Sequence, residues 1–177
     1  IERMKGRILD IGCGDLRYRE ILHRLVDAGD VEYHGLDPDP EAVARLRTSR
    51  IPMQLHVMDI EDFDHPPGYF DYVLMLRSLN HFRDLGRTFD LVSRLLRNHG
   101  NLILTECLPF GLLRSRGKTA EARESLVPRF EHFRNWSSEQ LLAFLKQGGY
   151  PFRVNVHRPV QPKTANMWLL KLIKIDP

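Results

Sequence analysis

An aspartate and two glycines alternate in a short segment near the start of the chain, where Asp10, Gly12 and Gly14 fall between Leu9 and Asp15. Glycines permit a tight backbone turn and let a ligand approach the main chain closely. If a helix begins just after them, its free N–H groups and its dipole favour a polar or anionic group of a ligand. The alternative is an ordinary strand-to-helix turn that uses glycine only for its geometry.

The residues around this turn indicate which ligand it would bind. A dinucleotide-binding turn follows the pattern G-x-G-x-x-G, but Arg17 stands at the position of the third glycine. Asp10 would repel a pyrophosphate, whereas it would attract an ammonium group. We therefore expect a ligand that carries an ammonium group and no phosphate.

Three further side chains at the ends of apolar runs are candidates for a site. Asp37 precedes Pro38, Asp59 lies between a methionine and Ile60, and His81 follows the next apolar run. A carboxylate can accept two hydroxyl hydrogens at once, and a histidine titrates near neutrality and can act as a general base. The structural alternatives are a turn-forming Asp37, a surface-exposed Asp59 and a His81 that packs locally.

Apolar, β-type runs alternate with helical patterns along the chain, which is typical of βαβ units. We predict an α/β fold with a doubly wound, mostly parallel, Rossmann-like sheet of seven strands. Pro159 and Pro162 leave no room for a helix between the last two strands, so these should form an antiparallel C-terminal hairpin. The predicted strands are 7–12, 31–37, 53–58, 70–76, 101–107, 152–157 and 166–175; the predicted helices are 16–28, a segment through 42–46, 85–97 ended by His99-Gly100, and 137–147.

Composition narrows the class of protein. The chain has 177 residues, of which 42% are hydrophobic, and this suits a single domain over 1–177. Its formal charge of +3 is too small to indicate nucleic-acid binding by itself. Cys13 and Cys107 belong to no metal-ligand pattern, so we predict no metal site and a cytoplasmic setting. No apolar run reaches the roughly 18 residues that a membrane span needs, and because the chain begins at Ile1 we expect it to be part of a longer protein.

The ordered set of these segments resembles the class I S-adenosylmethionine-dependent methyltransferase family. The Asp10-x-Gly12-x-Gly14 turn is similar to its first motif, Gly35 to Pro38 to its second, and Met58 to Ile60 to its third. Strand 70–76 with the following Asn80-His81-Phe82 is similar to the fourth. The closing hairpin is similar to the antiparallel seventh strand that this family adds.

The resemblance implies S-adenosyl-L-methionine as cofactor and S-adenosyl-L-homocysteine as product. By similarity Asp37 accepts hydrogen bonds from the ribose hydroxyls, Asp59 contacts the adenine amino group and Ile60 packs on the adenine ring. His81 lies where a methyl acceptor approaches, as a candidate catalytic base. The residues predicted to bind the cofactor are Asp10, Gly12, Cys13, Gly14, Asp37, Pro38, Asp59, Ile60 and Leu76.

Segment 108–135 is long and poorly periodic, which favours a lid or an acceptor-binding insert. Glutamates in this segment partly cancel the positive charge of its arginines, so the sequence does not favour nucleic acid as a partner. The stretch around His132 and Arg134 resembles one that borders the acceptor pocket of small-molecule methyltransferases. We therefore predict methyl transfer to an oxygen or nitrogen atom of a small-molecule acceptor, with His132 and Arg134 as acceptor contacts.

Leu16 departs from the family pattern, because many members carry a further glycine there, and the helices that usually precede strand one are not in this sequence. Three alternatives stay open. They are a methyltransferase that acts on RNA or protein, a catalytically silent cofactor-binding domain of a larger protein, and a nicotinamide-dependent oxidoreductase.

Overall fold

The computed structural model describes residues 1–16, 18–47, 52–107, 136–160 and 167–176. Segment 108–135, predicted to be a lid or insert, lies outside the described residues, as do His132 and Arg134. The strands are β1 Gly6–Ile11, β2 Val31–Leu36, β3 Gln54–His56, β4 Phe70–Leu76, β5 Leu96–Cys107, β6 Phe152–Val160 and β7 Met167–Lys174. The helices are α1 Arg19–Asp27, α2 Pro40–Arg47, α3 Leu85–Leu95 and α4 Ser138–Gln147, with short 3₁₀ turns at Ile60–Asp62 and Leu79–His81.

The strands form one seven-stranded sheet in the order β3-β2-β1-β4-β5-β7-β6. Strands β1 to β5 run parallel, while β7 is antiparallel to both β5 and β6. The predicted doubly wound sheet with an antiparallel C-terminal hairpin is therefore confirmed. The strand order reverses between β1 and β4, which places the carboxyl ends of β1, β2 and β4 around one crevice.

The core occupies both faces of the sheet, because alternate residues of β1 and β4 point to opposite sides. Leu9 and Val73 belong to the cluster that α3 and α4 cover, and Ile8 and Leu74 belong to the cluster that includes Leu22 of α1. This double coverage explains the nearly continuous apolar sequence of these two strands. Among the described helices, none has both the length and the apolar character needed to cross a membrane.

Helix α3 ends earlier than the sequence predicts. It stops at Leu95, and the chain at Leu96 is already extended, with φ −75° and ψ 132°. The Nζ of Lys174 donates to the carbonyl oxygens of Ser93, at 2.7 Å, and Leu96, at 2.9 Å, and so satisfies acceptors that a helix end leaves open. The prediction that His99-Gly100 ends this helix was wrong: β5 already begins at Leu96, and the lysine that caps the helix end comes from β7, far along the chain.

Helix α1 begins later than predicted, at Arg19 rather than near Leu16. Leu16 adopts φ +51°, a left-handed conformation that a right-handed helix cannot include. Its side chain is only 1% exposed and packs in the cluster that contains Ile8 and Leu22. A branched side chain therefore stands in a conformation that favours glycine, and burial of that side chain offsets the backbone strain.

Burial and strain at Leu16 can be separated by substitution. We expect Leu16→Gly to lower the free energy of unfolding by about 1–3 kcal/mol, because losing a buried leucine costs about 2–5 kcal/mol and relieving left-handed strain returns about 1–2 kcal/mol. Leu16→Ala keeps the strain and should be less stable than Leu16→Gly, the reverse of the usual order. Urea unfolding of the three proteins tests this, and a Leu16→Gly protein more stable than wild type would contradict it.

Candidate functional site

The predicted glycine turn is joined to two neighbouring strands. The N–H groups of Gly12 and Cys13 both donate to the carbonyl oxygen of Leu36 at the end of β2, at 2.8 and 3.0 Å. Gly12 has φ +76°, and a Cβ atom there would lie 2.5 Å from Cβ of Ser78, which follows β4. Ser78 Oγ in turn donates to the carbonyl oxygen of Ile11 at 2.7 Å. Glycine is therefore required at position 12 for both its conformation and its space.

Asp37 holds the other side of this turn. Its Oδ2 accepts the N–H of Gly14 at 2.8 Å, and its Oδ1 accepts the N–H of Asp39 at 2.9 Å. The side chain is thus a turn-former, which was the structural alternative for this residue. An ionised carboxylate has about four acceptor positions, so these two bonds orient Asp37 and leave acceptor capacity for a ligand.

Asp10 is a buried carboxylate, 1% exposed, that lies beside the turn. Its Oδ2 accepts the hydroxyl hydrogens of Tyr18 and of Tyr33, the latter at 2.6 Å. Its Oδ1 is buried and accepts no hydrogen bond from any described residue. Burial raises the pKa of Asp10 to about 6, the two tyrosine hydroxyls oppose this rise, and the charge of Asp37 adds to it.

These groups line one crevice with two lobes that share Gly12, Gly14 and Arg77. The two lobes have cavity volumes of about 250 and 350 Å³, near the lower end of the range for small-molecule sites. The Asp37 lobe also includes Ile11, Leu36, Asp37, Pro38, Met58, Asp59, Ile60, Ser78, His81 and Phe82. The Asp10 lobe also includes Asp10, Cys13, Asp15, Leu16, Tyr18, Leu76 and Thr105. The structure thus brings together every residue predicted to bind the cofactor, and it places His81 in the Asp37 lobe.

A cluster of rings holds the segment that carries Asp59 and Ile60. The buried His34 of β2 stacks on His56 of β3, with ring centroids 5.8 Å apart, and meets His65 edge-on at 5.4 Å. His56 also contacts Phe63, just after the 3₁₀ turn that begins at Ile60. Ile60 is 2% exposed, whereas Asp59 is exposed and makes no capping hydrogen bond. The segment is therefore anchored on both sides of an aspartate whose carboxylate is available to a ligand.

Sequence reasoning missed several residues that line the crevice or support it. Tyr18 and Tyr33 meet Asp10 only because the turn and the β1–β2 register bring them there, and no sequence spacing shows this. Arg77, directly after β4, is exposed and lines both lobes. Its φ of +65° is unusual for a residue with a side chain, and strained backbone concentrates at functional sites. In the sequence, the only feature that could have pointed to Arg77 is its position as a charged residue directly after a predicted strand.

The crevice suits a ligand that joins a nucleoside to an amino acid. A buried carboxylate oxygen without a hydrogen-bond donor suits an ammonium group, and an oriented second carboxylate suits a pair of hydroxyls. Two carboxylates beside the glycine turn disfavour a pyrophosphate. Within the described part of the chain, no group of three or more side chains is placed to hold a metal ion.

A family model described as a methyltransferase domain matches residues 2–152. The chain belongs to the class I S-adenosylmethionine-dependent methyltransferase family. A 27-O-demethylrifamycin SV methyltransferase of Amycolatopsis mediterranei is 30% identical to this domain over 135 residues, which are 71% of the chain and 48% of that relative. The chain thus spans about half the length of the curated relative that it matches.

Solved structures share the fold of this methyltransferase domain. A putative methyltransferase in complex with the Haloferax volcanii Trm112 activator superposes with a TM-score of 0.76 at 15% identity, covering 98% of this chain and 84% of that one. An S-adenosylmethionine-dependent methyltransferase of Methanosarcina mazei gives 0.70 at 18% identity, with coverages of 98% and 94%. One from Mesorhizobium loti gives 0.72 at 18% identity, with coverages of 98% and 93%.

The buried carboxylate should reduce the stability of the ligand-free domain at neutral pH. Because the pKa of Asp10 rises from its ordinary 3.8 to about 6, the folded state holds the proton more tightly. The free energy of unfolding should therefore fall by about 2 kcal/mol as pH rises from about 4 to about 6, and by about 3 kcal/mol over the whole range from acid well below pH 4 to alkali well above pH 6. We expect Asp10→Asn to melt at a higher temperature than wild type above pH 6 and to lose this advantage near pH 4.

Thermal melts of both proteins across this pH range measure the effect, and their difference isolates Asp10 because every other titrating group is shared. Asp27→Asn, at an exposed carboxylate of α1 that pairs with His23, is the matched control and should change little. Equal melting temperatures of Asp10→Asn and wild type at pH 8 would contradict the raised pKa.

Proposed function

We propose that this domain transfers a methyl group from S-adenosylmethionine to an oxygen or nitrogen atom of a small molecule. The observation that carries the proposal is the two-lobed crevice at the carboxyl ends of β1, β2 and β4, with a buried carboxylate in each lobe. These carboxylates match two polar parts of this cofactor, its amino acid and its ribose.

Each lobe would hold one part of the cofactor. Asp10 would accept a hydrogen bond from the ammonium group, and the exposed guanidinium of Arg77 would pair with the carboxylate of the same amino acid. Asp37 would accept the ribose hydroxyls. Asp59 would contact the adenine amino group, beside the apolar wall that includes Ile60. Cys13, Pro38 and Leu76 complete the walls of the crevice.

When bound, the cofactor supplies a methyl group already activated by a sulfonium. The protein therefore needs to align the acceptor in line with that methyl group and to exclude water. An acceptor hydroxyl or amine loses a proton during the reaction, and His81 remains our predicted base for it. Its ring lines the Asp37 lobe, so an acceptor would have to approach from that side for His81 to take this proton.

A small-molecule acceptor is supported by the curated relative, whose name gives 27-O-demethylrifamycin SV as its substrate. The fold alone does not select the acceptor atom, because neighbours of similar structure include the N-methyltransferase NodS and the CurJ carbon methyltransferase. We keep His132 and Arg134 as predicted acceptor contacts on the basis of their sequence.

The ribose contact can be tested by removing the charge of Asp37. We expect Asp37→Asn to weaken S-adenosylhomocysteine about 10- to 100-fold in calorimetry, because a hydrogen bond to a charged group contributes about 1.5–3 kcal/mol. Asp39→Asn, two residues along, is the matched control and should bind as wild type.

Asp37 also accepts hydrogen bonds within the turn, so its substitution could weaken binding by disturbing the turn. Removing the hydroxyls from the ligand instead tests the ribose contact by itself. Wild type should prefer adenosine over 2′,3′-dideoxyadenosine in competition with S-adenosylhomocysteine, and Asp37→Asn should lose this preference. An unchanged preference in Asp37→Asn would reject the ribose contact.

Catalysis is tested by incubating the domain with methyl-labelled cofactor and separate pools of hydroxyl- or amine-bearing small molecules, RNA and protein. We expect label only in the small-molecule pool, because the charge of the chain is modest and its curated relative is named for a small molecule. Label that appears only in RNA or protein would contradict a small-molecule acceptor. Cofactor binding without any labelled product would favour a catalytically silent domain.

A further inference from the structure

The polar contacts of Asp10 are divided unequally between its two oxygens. Oδ2 accepts both tyrosine hydroxyls, from Tyr18 at the start of α1 and Tyr33 in the middle of β2. Oδ1 is also buried, and no described residue donates to it. Because Asp10 lines the crevice, two donors hold one oxygen of the carboxylate and leave the other to a donor from outside the protein.

We propose that Tyr18 and Tyr33 are positioning residues that keep Asp10 ionised and oriented toward the ammonium group of the cofactor, and that they thereby set the pH below which the domain releases it. The inference rests on the proposed function, because it concerns the same crevice. It adds two residues and a pH response to the cofactor contacts proposed above.

The geometry requires such donors. A carboxylate buried to this degree is strongly destabilised as an ion unless hydrogen bonds compensate it. The two hydroxyls are such compensation, because hydrogen bonds to a charged acceptor are about twice as strong as neutral ones. Burial raises the pKa of Asp10 to about 6 even with both hydroxyls in place. Without one of them, a larger fraction of Asp10 would be protonated at neutral pH and unable to attract a cation.

The other groups around Asp10 do not titrate in the same range. Burial raises the pKa of Cys13 and of both tyrosines, so all three stay neutral. Asp37 contributes a negative charge from the end of β2, which opposes ionisation of Asp10. From β4, Leu74 lies opposite Asp10 and carries no charge. The charged groups at the mouth of this lobe are Asp15 and Arg77.

The sign of the pH response follows from this arrangement. A ligand ammonium stabilises the ionised form of Asp10, so binding requires its deprotonation. With a pKa of about 6, affinity for S-adenosylhomocysteine should be nearly constant down to pH 7 and about 10-fold weaker at pH 5. A tyrosine-to-phenylalanine change moves this loss of affinity to higher pH.

The test measures binding of S-adenosylhomocysteine by calorimetry from pH 5 to pH 8 in wild type, Tyr33→Phe and Tyr18→Phe. The ratio of wild-type to variant affinity cancels the titration of the ligand's own amine, and it should shrink as pH rises. Tyr72→Phe is the matched control, since Tyr72 lies on β4, packs against the same cluster as Tyr33 and lines neither lobe of the crevice. It should leave the profile unchanged.

A second ligand separates positioning from folding. 5′-Methylthioadenosine carries the adenine and ribose but no amino acid, so its affinity should be equal in all four proteins and independent of Asp10 protonation. One contrary result is a pH dependence of S-adenosylhomocysteine affinity that coincides in wild type and both tyrosine variants while 5′-methylthioadenosine binds normally. That result would overturn this inference and leave the proposed function standing. Wild type that binds neither ligand would overturn the proposed function and this inference with it.

Discussion

The burial of Asp10 beside a glycine turn is the constraint on which the rest of the crevice depends. Its side chain lies within the cluster formed by β1, β2 and α1, where an unpaired carboxylate would be too costly to retain. Tyr18 and Tyr33 reduce that cost at one oxygen only. The ionised form of Asp10 is therefore destabilised at this position, and a cationic group of a ligand would stabilise it.

The same turn ties three strands together at their carboxyl ends. Gly12 has space only for a hydrogen atom against Ser78 after β4, and Gly14 donates to Asp37 after β2. A shift of any one of these strands would therefore displace the two carboxylates relative to each other. Leu16 adds to this rigidity, because its buried side chain holds a backbone conformation that it would not otherwise adopt. In this domain a glycine at that position is not needed for the turn to form.

The sequence predicted the sheet and the residues that line the crevice because both follow from local patterns. Apolar runs mark the strands, and Asp10, Asp37 and Asp59 each come at or just after a run, where parallel strands meet. What it could not show arises from contacts between distant segments. Lys174 of β7 donates to the carbonyl groups at the end of α3, and Tyr33 of β2 donates to Asp10. Contacts between side chains of different strands cannot be predicted until the pairing of those strands is known.

The arrangement also makes this glycine turn unfavourable for a dinucleotide. In a Rossmann crevice the turn and the following helix offer N–H groups to a pyrophosphate. Here Asp37 already accepts the N–H of Gly14, and α1 begins only at Arg19, after the left-handed Leu16. The donors that would bind phosphate are thus engaged or displaced, and two carboxylates border the space that remains. The parallel part of the sheet is thus shared with dinucleotide-binding proteins, whereas the charges beside this turn favour a cation over a phosphate.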